Sequence, residues 1–335
     1  MIYFLPIENM VQRYSIMMNY AFKATGKVQE VYPEFNYPEV IESGQFLDVN
    51  KTIIFKTKQM NMVAEMFYRG EIKNGDIFLI GDIFYPGIEA IRYMAELQNI
   101  DISVYGFNYA GWADETDFIH KCSDWAFYSD FAYNESCDGI FVGSEFHKQN
   151  LLKTFSVPAS RIHVTGYIWD LSYVKQIYNA LTWDKENYVI WPHRPAAEKG
   201  FEGLLIYAAK NPDTRFLITS GGNIKIKENL PKNVKLASNL TKRQYYELLA
   251  KAKYYLSTAY QETFGYTLQE AIWFQCKVAV PNRACYPEMV PKNCLYDNFY
   301  NIEYYHVPLE YTEKWDGNVE KVLEIIENEN NSRRK

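Results

Sequence analysis

The sequence predicts an α/β protein of two tandem domains, each a parallel sheet with helical crossovers, facing one another across a cleft. Short apolar runs alternate with amphipathic segments through the first half, the pattern that parallel βαβ units need. A second series of the same kind fills the second half. At 335 residues with 48% apolar content, the chain is long enough for two real cores rather than one small module.

In the first half, "IYFLPI" reads as a strand and "QRYSIMMNYAFKAT" as a helix. "DIFLIGD" is a strand, "PGIEAIRYMAELQ" a helix, "ISVYGFN" a strand, and "CDGIFVGS" a strand followed by the helix "EFHKQNLLKTF". Ser144 stands where an N-cap belongs. Between strand and helix, "GDIFYPGIE" carries the Pro and Gly of a loop at a ligand-facing edge. After the linker-like "YIWDLSYVKQIYNALTWDKEN" come "YVIWPHR", "FEGLLIYAAKN", "RFLITSGG", "VKLAS", "KRQYYELLAKA", "YYLSTA", "TLQEAIWF", "CKVAVPN" and "CLYDN". The tail "EKWDGNVEKVLEIIENENNSRRK" is a charged amphipathic helix with a polar end. The boundaries expected are 1–168, 169–310 and 311–335, with the last segment packing back toward the first domain.

Composition narrows the class. No apolar run reaches the roughly 18 residues of a membrane span, and the N-terminus lacks the basic region of a signal peptide. The five cysteines (Cys122, Cys137, Cys276, Cys285, Cys294) contain no CxxC pair, which argues against a disulfide framework or a structural zinc site. A soluble protein of a reducing cytoplasm is expected. The formal charge of −6 supplies no global attraction for nucleic acid or an anionic membrane, so a nucleic-acid partner needs a local basic patch. "FKTKQ" (Lys56, Lys58) with Arg69, or "KIKENLPKNVK", could supply part of one. Equally, these lysines could only solubilise the surface.

Two constellations stand out. Glu262 and Glu270 have seven residues between them, the first in a loop after the strand "YYLSTA", the second within the first turns of a helix. A ligand at that helix start meets free N–H groups, a favourable dipole and two carboxylates able to accept from hydroxyls. Glycine in "ETFGYT" lets a phosphate or sugar approach closely. Upstream, "WPHRPAAEKG" places Arg194 and Lys199 just after a strand, where both cations could close on one diphosphate. The bland alternative is ordinary charges on a solvated loop. His193, beside Arg194, is a cleft candidate, whereas His147 reads as a surface or interdomain residue. "SGGN" (Ser220 to Asn223) reads as a turn. Walker A, GxGxxG after a strand, HExxH, GxSxG and Asp-x-Asp are missing from the sequence.

The order "HR....EKG", then "ETFG...QEA", then an apolar strand and "YPE", resembles the C-terminal domain of GT-B glycosyltransferases of the family 4 type, over Tyr188 to Asn298. "VIWPHR" and "VPNRACYPEMVP" resemble the tRNA-queuosine mannosyltransferase branch. The resemblance implies the GT-B fold, two Rossmann-like domains, the first for the acceptor and the second for a nucleotide-sugar donor. It implies that Arg194 and Lys199 hold the donor diphosphate and Glu262 the donor-sugar hydroxyls. The Phe264–Gly265 amides would approach sugar and phosphate, with Thr263 and Tyr266 beside them, and Glu270 would hold the ribose. A retaining transfer follows, in which the leaving phosphate takes the acceptor's proton, with no obligatory cofactor or metal. Catalytic weight falls on Arg194, Lys199, Glu262 and Asp114.

On the acceptor side, "VYGFNYAGWADETDF" follows a strand, so Asn108, Trp112, Asp114 and Glu115 are expected to project toward the cleft. The family often has a His near Asn108, and this chain does not. "LPIENMVQRYS", "GDIFYPGIEAIRYM" and "CDGIFVGSEFHK" resemble phage glycosyltransferases that accompany modified-base DNA. That resemblance implies a sugar from UDP-glucose or UDP-arabinose placed on 5-hydroxymethylcytosine in DNA. A tRNA base, glycan or small-molecule acceptor remains an alternative, as do an epimerase or phosphorylase and a non-catalytic sugar-nucleotide or glycan-binding protein.

Overall fold

The computed structural model describes residues 1–9, 14–36, 48–179, 183–221, 226, 228–300 and 302–333. The described residues divide into two compact units, one holding those up to Asp170 together with those from Gly317, the other those of Leu171–Asp316.

The first unit contains β1 (Ile2–Leu5), α1 (Ser15–Ala24), β2 (Gln29–Glu30), α2 (Val49–Tyr68), β3 (Asp76–Ile80), α3 (Ile88–Leu97), β4 (Ile102–Phe107), α4 (Trp125–Glu135), β5 (Gly139–Val142), α5 (Glu145–Thr154) and β6 (Ile162–Val164). Among the described residues the strands form a six-stranded sheet ordered β2-β1-β3-β4-β5-β6, parallel at every pairing. β1, β3, β4 and β5 are buried at every position, as strands covered on both faces must be. Sequence reading passed over α2 and α4. α2 starts at Asp48, whose side chain accepts the Lys51 N–H at 3.0 Å, and buries Phe55, Val63, Met66 and Phe67. α4, "WAFYSDFAYNE", alternates aromatic and polar residues too evenly for a clear helical stripe. Residues 12 and 13, at the start of the helix expected from "QRYSIMMNYAFKAT", lie outside the described residues.

Ser144 caps α5, accepting the His147 N–H at 3.3 Å. His147 itself corrects an expectation: it is 1% exposed, its Nδ1 is 3.0 Å from the Tyr167 hydroxyl, and burial pushes its pKa down to about 3. It is a neutral core group, not a surface residue.

The second unit begins with α6 (Leu171–Ile177), a helix inside the segment read as a linker. It continues with β7 (Glu186–Trp191), α7 (Phe201–Lys210), β8 (Arg215–Thr219), β9 (Val234–Ala237), α8 (Lys242–Lys251), β10 (Ala252–Leu256), α9 (Tyr266–Trp273), β11 (Lys277–Pro281), α10 (Tyr286–Met289), β12 (Leu295–Tyr296), β13 (Tyr305–His306) and α11 (Glu310–Glu313). Its sheet runs β12-β11-β10-β7-β8-β9, with β13 antiparallel to β11. Counted from β7, this is the 3-2-1-4-5-6 order of a Rossmann fold, with the reversal between β7 and β10.

The last helix, α12 (Asn318–Arg333), belongs to the first unit. Asn318 accepts the Trp169 N–H at 2.9 Å and donates to Tyr167 O at 2.7 Å, and Arg333 pairs with Asp138 at 2.7 Å. All five cysteines are free. Among the described residues no helix is long and apolar enough to cross a membrane.

Candidate functional site

In an open α/β sheet, ligands bind beyond the carboxyl ends of the strands where strand order reverses. In the second unit that point lies between β7 and β10. His193, Arg194 and Lys199 follow β7; Glu262 and Thr263 follow β10 and lead into α9.

Two backbone features join these loops. Gly200 has φ +67°, and a Cβ there would sit 2.1 Å from Thr258 O. Only glycine allows this approach. The Thr258 hydroxyl donates toward Lys199 O and Gly200 O, both at 2.9 Å, while Tyr260 N and Gln261 N donate to Glu198 O at 2.8 and 3.1 Å. Gly265, φ +74°, is the N-cap of α9.

Within this frame Lys199 Nζ donates to Gln261 O at 2.8 Å, Gln261 Oε1 at 3.2 Å and Glu262 Oε2 at 3.3 Å. Glu262 Oε1 accepts the N–H of Gly265 at 3.1 Å and of Thr263 at 3.3 Å. Burial alone would raise the Glu262 carboxyl, but Lys199 and the Gly265 N–H outweigh it and hold it below its ordinary range. His193, 6% exposed, is pushed down to about 3 by burial and by the Lys199 and Arg194 cations. It is therefore a neutral imidazole, and its Nε2 is buried without a hydrogen-bond partner among the described residues. Arg194 forks onto Glu198, Nε at 3.1 Å and Nη2 closer still; burial opposes ionisation of Glu198, and Arg194 overcomes it. The two cations expected to meet a diphosphate are thus each held by a carboxylate.

Glu270 is 3% exposed in the second turn of α9. Its Oε1 accepts Lys242 Nζ at 2.7 Å and the Tyr246 hydroxyl at 2.9 Å, and its Oε2 accepts the Tyr245 hydroxyl at 2.8 Å. All three donors come from α8, which Thr241 and Gln244 start with a capping box. A carboxylate has about four lone-pair sites, so Oε2 keeps room for one more donor. Sequence reading had named none of the three. The signal was there in "KRQYY", a cation and two hydroxyls on one helical turn. Phe264, 1% exposed, packs against the rings of Tyr266 at 5.2 Å and Trp315 at 5.5 Å, so only its backbone is available.

The first unit treats its expected residues differently. Asn108 is 1% exposed and donates to Asn134 Oδ1 at 3.0 Å. Trp112 is half-buried against the His120 ring at 4.7 Å. Asp114, 5% exposed, caps its own turn by accepting from Thr116 N at 2.9 Å and Thr116 Oγ1 at 2.6 Å. Glu115 is exposed. Asn108 and Asp114 are thus both buried rather than exposed on the loop, and the Asn108 Oδ1 and Asp114 Oδ2 atoms have no hydrogen-bond partner among the described residues.

Lys56 likewise belongs to no basic surface patch. It is 4% exposed and donates to Asp82 at 2.8 Å and Phe84 O at 2.6 Å. Arg69 is paired with Glu65 and Glu71. Residues 225 and 227 of "KIKENLPKNVK", and 222 and 223 of "SGGN", lie outside the described residues.

Strand order in this unit reverses between β1 and β3, and there the sequence reading missed a polar cluster. Glu8, 1% exposed, accepts the Thr52 hydroxyl, while its Oε2 has no partner among the described residues. Lys56, from α2, pairs with Asp82 just after β3. A Glu in "LPIENM", directly after a buried strand, was the available signal. Among the described residues no group of three or more His, Cys, Asp or Glu could hold a metal ion.

No protein-family model matches the chain. A stretch of 121 residues is 28% identical to tRNA-queuosine alpha-mannosyltransferase of Drosophila melanogaster, covering 33% of this chain and 32% of that protein; the match spans about a third of the relative's length. Among solved structures, sucrose-phosphate synthase from Thermosynechococcus elongatus matches with TM-score 0.64 at 13% identity over 97% of this chain and 90% of its own. Trehalose-6-phosphate synthase OtsA matches with TM-score 0.65 at 10% identity over 97% and 98%. WaaG, a glycosyltransferase involved in lipopolysaccharide biosynthesis, matches with TM-score 0.56 at 14% identity over 98% and 94%. The fold is accordingly GT-B, two parallel-sheet Rossmann-like α/β units.

Proposed function

We propose that the protein is a retaining glycosyltransferase that moves a sugar from a nucleotide-sugar donor to a hydroxyl group on a nucleic-acid base. The observation that carries this reading is the meeting of Lys199, Glu262 and the start of α9 at the strand-order reversal of the second unit. A nucleotide sugar has a polyol at each end and a diphosphate between. Glu270 suits the ribose, Arg194 and Lys199 the diphosphate, and Glu262 the transferred sugar. Donor binding exchanges the carboxylates now held by both cations for phosphate oxygens. The acceptor oxygen then attacks the anomeric carbon as its bond to the diphosphate breaks, the hydroxyl proton passes to the leaving phosphate oxygen on the same face, and the nucleoside diphosphate departs. The protein's part is positioning and stabilising charge on that leaving group, with no cofactor or metal required.

For the acceptor, the reading is 5-hydroxymethylcytosine in DNA, with UDP-glucose or UDP-arabinose as donor. The local match to a tRNA-queuosine mannosyltransferase favours a second reading, a modified base in tRNA. The test is a panel of radiolabelled UDP-glucose, UDP-arabinose and GDP-mannose, each offered to hydroxymethylated DNA and to bulk tRNA. Label in DNA supports the first reading and label in tRNA the second. Label in neither, with no nucleotide sugar bound in calorimetry, removes the transferase reading.

A further inference from the structure

The second unit has a cavity of about 500 Å³ at the edge of the sheet opposite the loops that carry Arg194, Lys199 and Glu262. It opens at the amino-terminal ends of the strands. Tyr188 lies near the start of β7, Lys277 is the first residue of β11, and Tyr254 of β10 pairs with Lys277 in register. Glu303, Tyr304 and Tyr305 close it from the β13 side.

The chemistry of the lining is specific. The Tyr254 and Tyr304 rings pack at 4.9 Å, tilted by 52°. Tyr188 is buried, with its hydroxyl committed to Leu248 O and the Arg215 guanidinium over its ring at 5.6 Å, so the half-buried rings of Tyr254, Tyr304 and Tyr305 are the ones left to face a ligand. Lys277 and Glu303 bring one charge of each sign, so the cavity has no excess of cations for a phosphate and no excess of acids for a cation. Aromatic faces with a few polar groups, in a cleft of this volume, match a small-molecule site. The ligand they fit is uncharged, with a C–H face to lie on a ring and hydroxyls to bond Glu303 and Lys277.

We propose that this cavity is a second ligand site, for a neutral pyranose unit of a glycan, separate from the site at the β7/β10 reversal and independent of any transfer activity.

Titration of the intact protein with maltose, cellobiose and methyl α-mannoside up to about 10 mM, read by saturation-transfer NMR, tests it. At least one sugar should bind, and binding should persist when UDP is saturating. Tyr305→Ala and the surface change Glu303→Gln should each weaken it about tenfold, the scale of one lost aromatic or polar contact, in protein whose circular dichroism is unchanged. No binding by any of the three overturns the proposal. So does displacement by UDP, which would place the sugar at the other edge of the sheet. Full affinity in the folded Glu303→Gln protein, or displacement by glucose 1-phosphate at lower concentration than by the sugars, overturns it as well.

Discussion

Lys242 and Glu270 form an ion pair of 2.7 Å between the first turn of α8 and the second turn of α9, with the Glu270 carboxylate almost wholly enclosed. Tyr245 and Tyr246 add two hydroxyl donors to it. A buried carboxylate is tolerated only when its lone pairs are met, so the pair orients α8 against α9.

Removing the cation should therefore destabilise the fold more than an ordinary surface lysine would. Lys242→Ala is expected to cost roughly 1 to 3 kcal/mol in chemical denaturation, the range for a lost charged hydrogen bond. In a double-mutant cycle with Glu270→Gln, the coupling should exceed about 1 kcal/mol. Additive losses would show that the two side chains are neighbours without being partners.

The loops around the site suggest why some of it was legible in the sequence. Glycines and acids at fixed spacing announced where Gly265, Glu262 and Glu270 sit relative to strand and helix, because turn chemistry is local. The partners of those acids are not local. Lys199 reaches Glu262 across 63 positions and Lys242 reaches Glu270 across 28, contacts that depend on which strands become neighbours. The same limit explains Asn108 and Asp114: the sequence placed them after β4, but only packing decides whether a side chain there is exposed or buried against α4 and its own turn. Glu8 was missed for the opposite reason. A single acid after a strand has no pattern until strand order marks the reversal beside it.

Two glycines with similar positive φ should respond differently to alanine. At Gly200 a Cβ meets Thr258 O at 2.1 Å, a backbone atom that cannot swing aside, whereas at Gly265 the nearest atom is Leu268 Cβ at 3.4 Å. Gly265→Ala should show only the left-handed backbone cost of about 1 to 2 kcal/mol. Gly200→Ala should lose clearly more, because the loop bearing Lys199 must shift. Equal midpoints in urea for the two variants would contradict the close approach.

Asp130 gives a pH-dependent expectation. It is 1% exposed and accepts from Trp112 N at 2.8 Å and Asn134 Nδ2 at 3.1 Å. Burial raises its carboxyl from 3.8 to about 7, with Asp117 and Asp82 adding repulsion and those two donors opposing. Folded chains then keep a proton that unfolded chains have lost, so this group's contribution to stability declines as pH rises from about 4 to about 7 and is flat above that. Between pH 5 and pH 8 the wild-type melting temperature should fall further than that of Asp130→Asn, since every other titrating group is common to both. Parallel profiles would mean that Asp130 is ionised throughout.

The last expectation separates Glu262 from Glu270 at the proposed donor site. Glu262 holds Lys199 and turns its other oxygen onto the N–H of Gly265, so its charge lies beside the place where the diphosphate is expected. Glu262→Gln keeps an acceptor for Gly265 and removes a negative charge that competes with phosphate for Lys199. Free UDP should bind the variant as well as the wild type or more tightly, while sugar transfer falls because the sugar loses its charged acceptor. Glu270→Gln should act the other way, weakening UDP and UDP-glucose alike by about 1 to 3 kcal/mol, since the ribose is common to both. Calorimetric titration of the two variants with UDP, beside a transfer assay, reads both effects. A loss of UDP affinity in Glu262→Gln equal to that in Glu270→Gln would place both acids at the nucleotide and leave the transferred sugar without an assigned partner.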